Sequence, residues 1–400
     1  VSQWSEAALG EVAEIARSVV EPRDLPPETK YLGLEHLERG GRIIGVATVG
    51  SEEVSSSKFE FNAGDILYGK LRPYLGKIAA PEFAGVCSTD ILPVRPGHHL
   101  ERRYLLHFLR QPRMVELANS RATGANLPRL APKELAKIQI PLPALAEQKR
   151  IAAVLDQVDA LRAKRREAIA LLGVLAQSIF LDMFGDPARN PMGWEQRSFG
   201  DLILDGPQNG LYKPAGDYGD GVPILRIDSF QAGELKPASQ WRLVNASLLE
   251  QERYGLRESD IIINRVNSRS HLGKSVMVGE VPKGSVFESN MMRVRVDPSL
   301  ARPVFIEQYL QSGFMRRRIL ESAKDAVNQS SINQQDVKVL PVFVPSMKSQ
   351  CRFEESLEQI RGGQRKHRAH LATLEELFTS LQHRAFSGTL WDHEATGEAA

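Results

Sequence analysis

One long segment is written twice in this chain of 400 residues, and the repetition restricts the fold more than any other feature. Residues 143–186 read PALAEQKRIAAVLDQVDALRAKRREAIALLGVLAQSIFLDMFGD, and residues 345–388 read PSMKSQCRFEESLEQIRGGQRKHRAHLATLEELFTSLQHRAFSG. At an offset of 202, Pro143 meets Pro345, Gln148 meets Gln350, Leu155 meets Leu357 and Phe184 meets Phe386. In the first copy, Leu145, Ile151, Leu155, Val158, Ile169, Leu172, Leu175 and Ile179 recur at steps of mostly three and four residues, the period of one helix face. Forty residues of helix span roughly 60 Å, too long for one small domain to cover. The economical partner is the equivalent helix of the other copy, running antiparallel. Leu155, Leu172, Leu175 and Ile179 from the first helix, with Leu357, Leu374, Leu377 and Leu381 from the second, are expected along that coiled-coil seam. In the second copy Gly362 and Gly363 replace Ala160 and Leu161. Two mid-helix glycines cost about 2 kcal/mol in propensity, which predicts a bend or break there.

The duplication extends upstream of the helices. QWSEAALGE pairs with GWEQRSFGD, so that Trp4, Leu9 and Gly10 meet Trp194, Phe199 and Gly200. GDILY (64–68) pairs with SDIII (259–263), and STDILPVRP (88–96) with ESNMMRVRV, Asp90 meeting Asn290 and Arg95 meeting Arg295. The offset drifts from 190 to 202 along the chain, as expected when loops gain residues around a retained core. Short β-rich runs bounded by Gly, Pro, Asn and Asp open each copy. A helix follows (102–120 and 303–323), then a polar loop, a short strand and the long helix. The fold class is therefore α+β. The expected order is a first globular domain over 1–142, a helix over 143–186, a second domain over 187–343, a helix over 344–390 and a frayed tail over 391–400. MFGDPARNPMGW (183–194) is the turn-rich connector between the copies.

A chain of this length supports two or more cores. No apolar run is expected to approach the roughly 20 residues that cross a bilayer, and the N-terminus reads as no signal peptide. Cys87 and Cys351 are too scattered for a disulfide frame or a metal site. These features fit a cytoplasmic protein. The net charge is only +2, from 51 Lys and Arg against 49 Asp and Glu. That argues against a solitary nucleic-acid binder, because phosphate neutralisation supplies most non-specific affinity. It argues less against a subunit that shares nucleic acid with partners. Catalytic patterns are missing from the sequence: it contains no HExxH, no GxxxxGK[ST] and no Asn/Asp-Pro-Pro-aromatic tetrapeptide. His98–His99 and His367/His370 have no Cys/His company, and Glu52–Glu53 is an ordinary acidic pair.

Two pairs of loops carry candidate binding chemistry. After SDIII, NRVNSRSHLGKS (264–275) gathers Arg265, Asn267, Arg269, His271 and Lys274, and the matching loop YGKLRPYLGK (68–77) offers Lys70, Arg72, Tyr74 and Lys77. Arg and Asn suit base edges, while Lys suits phosphates. The second pair precedes the long helices. ATGANLPRL (122–130) contains Asn126 and Arg129; AVNQSSINQ (326–334) contains Asn328, Gln329, Ser330 and Asn333. Loops of this composition also serve as ordinary polar turns. The basic stretch RAKRRE (162–167) reads first as a solvated helix face.

Taken in order, GDILY, IPLPALAEQKRIAAVLD opening a long helix, the MFGDPARNPMGW connector and the closing AFSGTL resemble the specificity subunits of Type I restriction–modification systems, over nearly the whole chain. The second copy departs from the pattern, with SQCRFEESLE in place of EQKRIAAVLD. The resemblance implies a non-catalytic DNA reader in which each β-rich half is a target recognition domain for one half of a split site. It implies two long helices that act as spacer and as dock for two methyltransferase subunits, with restriction subunits joining the complex. S-adenosylmethionine and ATP would then belong to the partners. The alternative is a coiled-coil scaffold whose domains bind protein.

Overall fold

In the computed structural model, which describes residues 4–51, 56–231, 233–326 and 329–391, the chain is a mixed α/β protein divided into two units. One comprises Val1–Glu167 with Arg368–Ala400, and the other Ala168–His367. Asn328, Glu52, Glu53 and residues 392–400 lie outside the described residues.

The first unit holds a four-stranded antiparallel sheet in the order Ala13–Ile15, Ile91–Pro96, Ile66–Gly69, Ile78–Ala79. The second unit repeats the order with Ile203–Asn209, Met291–Val296, Ile261–Asn264 and Ser275–Met277. Strands Ile66–Gly69 and Ile261–Asn264 are buried at every position. Continuous burial requires cover on both faces, and this explains why ILYG and IIIN lack the alternation of a surface strand. A second sheet in each unit contains a parallel pair, Tyr31 opposite Val86 in one and Ile224 opposite Val286 in the other. In both, an N-terminal strand also pairs with the strand leading into a long helix: Glu6–Ala8 with Gln139–Pro141, and Glu195–Ser198 with Pro341–Val344.

Smaller details repeat with the same fidelity. Leu9 donates its N–H to the Ile138 carbonyl at 2.9 Å, and Phe199 donates to Leu340 at 2.8 Å. Gly10 follows Leu9 because a Cβ there would stand 3.0 Å from the Ala136 Cβ. Asp65 and Asp260 are buried, and each receives a guanidinium from the facing strand: Arg95 Nε at 3.0 Å, Arg295 Nε at 2.7 Å. A carboxylate out of water requires such a partner.

The segments 102–120 and 303–323 each form two helices where the sequence predicts one: Arg102–Leu109 and Pro112–Ser120, then Pro303–Leu310 and Gly313–Ser322. Pro112 disfavours helical backbone at Gln111 and starts the next helix. In the second copy Ser312 does the same by capping, its side chain accepting from the Met315 N–H at 3.2 Å.

The long helices run Leu145–Phe184 and Met347–Ser387. Each begins in one unit and ends in the other, so both units contain the start of one helix and the end of the other. In the first unit, Arg166 reaches Glu375 at 2.8 Å, Arg162 lies over the Phe378 ring at 4.3 Å and Arg150 over Trp391 at 4.1 Å. Residue numbers rise on one segment as they fall on the other, so within this unit the segments run in opposite directions. RAKRRE is therefore not wholly a solvated face, since Arg162 is half-buried on an aromatic ring. Phe386 packs on Tyr104 with ring centroids 5.0 Å apart. In the second unit Phe184 packs on Phe305 at the same 5.0 Å, and Phe180 and Phe184 both meet Phe353.

Three expectations for these helices need correction. The second helix is continuous through Gly362 and Gly363, with no break. Leu172 lies where a Cβ at Gly363 would touch it at an ordinary 3.5 Å, so the glycines sit in a packed stretch of helix, and tertiary packing outweighs their propensity cost. Leu155 and Leu357 are core residues, and Leu172, Ile179 and Leu381 pack against the cores. Leu374 is half-buried, but Leu175 and Leu377 are each 45% exposed. Ala176 is buried next to Leu175, so the packed stripe is narrower than the apolar one. Finally, the first helix contains an 18-residue window long and apolar enough by composition to cross a membrane, although Gly173, Gln177, Ser178 and Asp182 interrupt its apolar run. Only 17% of that window is buried. A single window of this kind is weak grounds for a membrane span, and its consequence here is an apolar face left open.

Gln148 and Gln350 explain the repeated glutamine. Both are fully buried. Gln148 Oε1 accepts from the Glu101 N–H at 2.8 Å, while its Nε2 donates to the carbonyls of His99 and Pro143, both at 2.9 Å. Gln350 accepts from the Arg302 N–H at 2.8 Å and donates to Pro345 at 2.9 Å. Each glutamine thereby joins the first turn of a long helix to the N-terminus of a domain helix. Replacing Gln148 with Leu strands one backbone donor and two acceptors, at a cost of about 1–3 kcal/mol for each buried group left unsatisfied. Urea unfolding of Gln148→Leu is expected to lose about 3 kcal/mol or more, with Gln148→Glu also destabilised because it cannot donate to the carbonyls. A loss below 1 kcal/mol for both variants would rule out this role.

Asp156, on the first long helix, supplies a second tie. It accepts from Arg103 at 2.5 Å and sits 2.7 Å from the buried His107 Nε2. Burial pushes its carboxyl up, but hydrogen bonds and charge from His107 and Arg103 outweigh that and hold it at about 2. The unfolded value is about 3.9, so this contribution is present above about pH 4 and is lost as pH falls towards 2. Asp156→Asn should therefore be less stable than wild type at pH 6, with the difference shrinking from pH 4 to pH 2 in chemical denaturation. Parallel stability curves across that window would contradict the linkage.

Candidate nucleic-acid interface

The two candidate loops of each copy, far apart in sequence, are brought together by the fold. In the first unit Leu71 bridges to Arg129, the Arg72 N–H donates to Pro128 O at 2.7 Å, and the Leu130 N–H donates to Lys70 O at 3.0 Å. In the second unit Val266 and Asn267 pair with Ser331 and Ser330, and the Ile332 N–H donates to Arg265 O at 3.0 Å. Lys70 aligns with Arg265 and Leu130 with Ile332, so one backbone hydrogen bond closes both surfaces. The frame is the same in the two units.

The side chains on it differ. In the first unit Asp90 takes a forked pair of hydrogen bonds from Arg129, 2.9 and 3.1 Å long, and lies 3.9 Å from Lys70 Nζ. Lys77 donates to the Leu34 carbonyl at 2.6 Å. These three cations are engaged within the protein. Arg72, Tyr74 and Asn126 remain exposed. Arg72 adopts a left-handed backbone at φ 51°, ahead of the single turn Pro73–Leu75, a conformation uncommon for a residue with a side chain.

In the second unit Asn290 occupies the place of Asp90 and donates to Glu288 at 3.1 Å. Arg265 therefore has no carboxylate partner among the described residues; it donates to Ser289 O at 3.1 Å, and its buried Nε has no hydrogen-bond partner within the protein. Burial pushes its pKa down. Asn267 caps Ser268 through Oδ1 at 2.7 Å and keeps a buried, unpartnered Nδ2. Arg269 pairs with Asp325 at 2.5 Å, and His271 Nδ1 lies 2.8 Å from Ser270 Oγ. Lys274 is half-buried. Ser330 is buried and bonds Asp325 at 2.6 Å, whereas Gln329 is exposed. Asn333 is exposed and caps Gln334–Lys338, accepting from the Asp336 N–H at 3.0 Å.

Asn209, Gln334, Gln335 and Lys338 join Arg265 and Asn333 around an open cleft of about 370 Å³. The first three and Lys338 were not legible as site residues one at a time. The signal lies in the alignment: Asn333, Gln334, Gln335 and Lys338 stand where the first copy has Ala131, Pro132, Lys133 and Ala136. Among the described residues no group of three or more His, Cys, Asp or Glu is placed to hold a metal ion.

Residues 1–171 match the family of Type I restriction modification DNA specificity domains. The chain is 26% identical over 334 residues to the Type I restriction enzyme StySPI specificity subunit of Salmonella potsdam, covering 79% of this chain and 72% of that one. The EcoKI specificity subunit of Escherichia coli K12 is 26% identical over 339 residues, with the same coverage of both chains. The fold is that of the Type I restriction-modification S subunit from M. genitalium, with a TM-score of 0.57, 15% identity and 96% of both chains covered. It is shared by a chain from a structural study of type I R-M assembly and conformational transition, at a TM-score of 0.50 and 21% identity over 97% of this chain and 98% of that one. Residues 1–171 thus fall in the Type I DNA specificity domain family, and the chain is similar to Type I restriction enzyme specificity subunits over most of its length.

Proposed function

We propose that this chain is a non-catalytic specificity subunit that reads a bipartite, asymmetric sequence in double-stranded DNA, one unit for each half. The observation that carries the reading is the pair of loop surfaces closed by the same hydrogen bond and lined by different side chains. A shared frame presents both surfaces in the same way, and diverged linings give unlike half-sites. Arg72, Tyr74 and Asn126 are the first unit's foremost contacts; Arg265, Asn267, Gln329 and Asn333 are the second unit's. Lys70, Lys77, Arg129, Arg269 and Ser330 support those surfaces from within the protein, and His271 and Lys274 flank the second.

The long helices act as an antiparallel spacer that sets the gap between half-sites. Their open apolar residues, including Leu171 and Val174 at 60% exposure, are the docks for two methyltransferase subunits, which restriction subunits join. S-adenosylmethionine and ATP are handled by those partners, in the cytoplasm. A net charge of +2 is consistent with DNA shared among subunits.

The test is selection from random duplexes by the chain assembled with its methyltransferase, followed by mapping of the methylated bases. A bipartite consensus is expected; an intact complex that enriches no sequence would refute the reading and favour a protein-binding scaffold. Inserting one helical turn in both long helices is expected to change the selected gap while the half-sites stay the same. Selected sites with an unchanged gap would refute the spacer.

A further inference from the structure

The cleft in the second unit differs from its counterpart in chemistry more than its structural duties require. Pro132 and Lys133 take the first two positions of Pro132–Ala136 in the first unit, so amides are not needed at Gln334 and Gln335 to start Gln334–Lys338 in the second. Gln334, Gln335, Lys338 and Asn209 are all exposed. The cleft is also lined by Arg265, which has Asn290 beside it where Lys70 has Asp90, and which keeps an unpartnered, buried Nε. Burial makes Arg265 a cation with little solvent around it, which favours an anion or a hydrogen-bond acceptor at its exposed edge. Amides offer donor and acceptor side by side, the combination that meets an adenine edge in the major groove. Lys338 adds a flexible positive charge at the rim, suited to a phosphate.

We propose that this cleft is a base-and-phosphate subsite of the second half-site, an inference that rests on the DNA-reading function above. Asn209, Gln334 and Gln335 meet a base edge at an A·T pair, Lys338 meets the adjoining phosphate, and Arg265 supplies fixed positive charge at the floor. The first unit has Pro132, Lys133 and Ala136 at the positions of Gln334, Gln335 and Lys338, and so lacks the pair of amides. The subsite is therefore one source of asymmetry between the half-sites.

The test uses the assembled methyltransferase complex carrying Gln334→Ala/Gln335→Ala or Lys338→Ala, with thermal melting to verify folding. The double variant is expected to lose about tenfold or more in discrimination at one or two adjacent positions of one half-site, including an A·T pair. The other half-site should be unchanged. Lys338→Ala should weaken binding evenly across sequences and lower the slope of log affinity against log salt by about 1. If the wild-type complex selects a bipartite site and folded variants select the same site with the same affinity and salt slope, the subsite is wrong. A wild-type complex that selects no site would instead remove the DNA-reading function itself.

Discussion

The arrangement depends on a buried glutamine at the start of each long helix. Gln148 and Gln350 are enclosed in the protein, and each ties helix to domain through hydrogen bonds to backbone groups. A hydrophobic contact could hold a helix against a domain while leaving its rotation and register loose. An amide that must satisfy both a donor and an acceptor fixes both. The direction of each long helix is thus set at its first turn, by the same device in both copies. The aromatic contacts Phe386–Tyr104 and Phe184–Phe305 then fix the far ends, each in the unit the helix does not start from.

On that frame the two copies separate into parts that resist change and parts that do not. The buried Asp–Arg pair, the close approach at Gly10 and the hydrogen bonds of Leu9 and Phe199 recur because a core leaves little freedom. The rims of the loop surfaces carry no such constraint. The first copy has Asp90 with Lys70 and Arg129, the second has Asn290 with Arg265 and Ser331, and the strands beneath are the same. A few surface substitutions can therefore alter what each unit contacts while the scaffold stays the same.

Much of this was legible in the sequence, because the duplication acts as an internal control. The β-rich runs and the long helices follow from residues that recur at a slowly drifting offset. The two candidate loops of each copy were legible separately, but their junction was not, since it rests on backbone hydrogen bonds such as Leu130 to Lys70 that no side chain announces. Propensity misled at Gly362–Gly363, where the helix is continuous because it is packed, and periodicity misled at Leu175 and Leu377, where the stripe is wider than the packed seam. Charge counting could not separate Arg129, held by Asp90, from Arg265, which is not. That distinction depends on which residue faces a cation across the surface.

The central claim is that two copies of one frame read two half-sites independently. The most direct measurement replaces residues 187–343 with the corresponding segment of a specificity subunit that has a different target, then maps methylated sites for the assembled chimera. The account predicts that one half-site changes to that of the donor while the other half-site and the gap persist. A chimera that assembles but changes both half-sites, or neither, would contradict it.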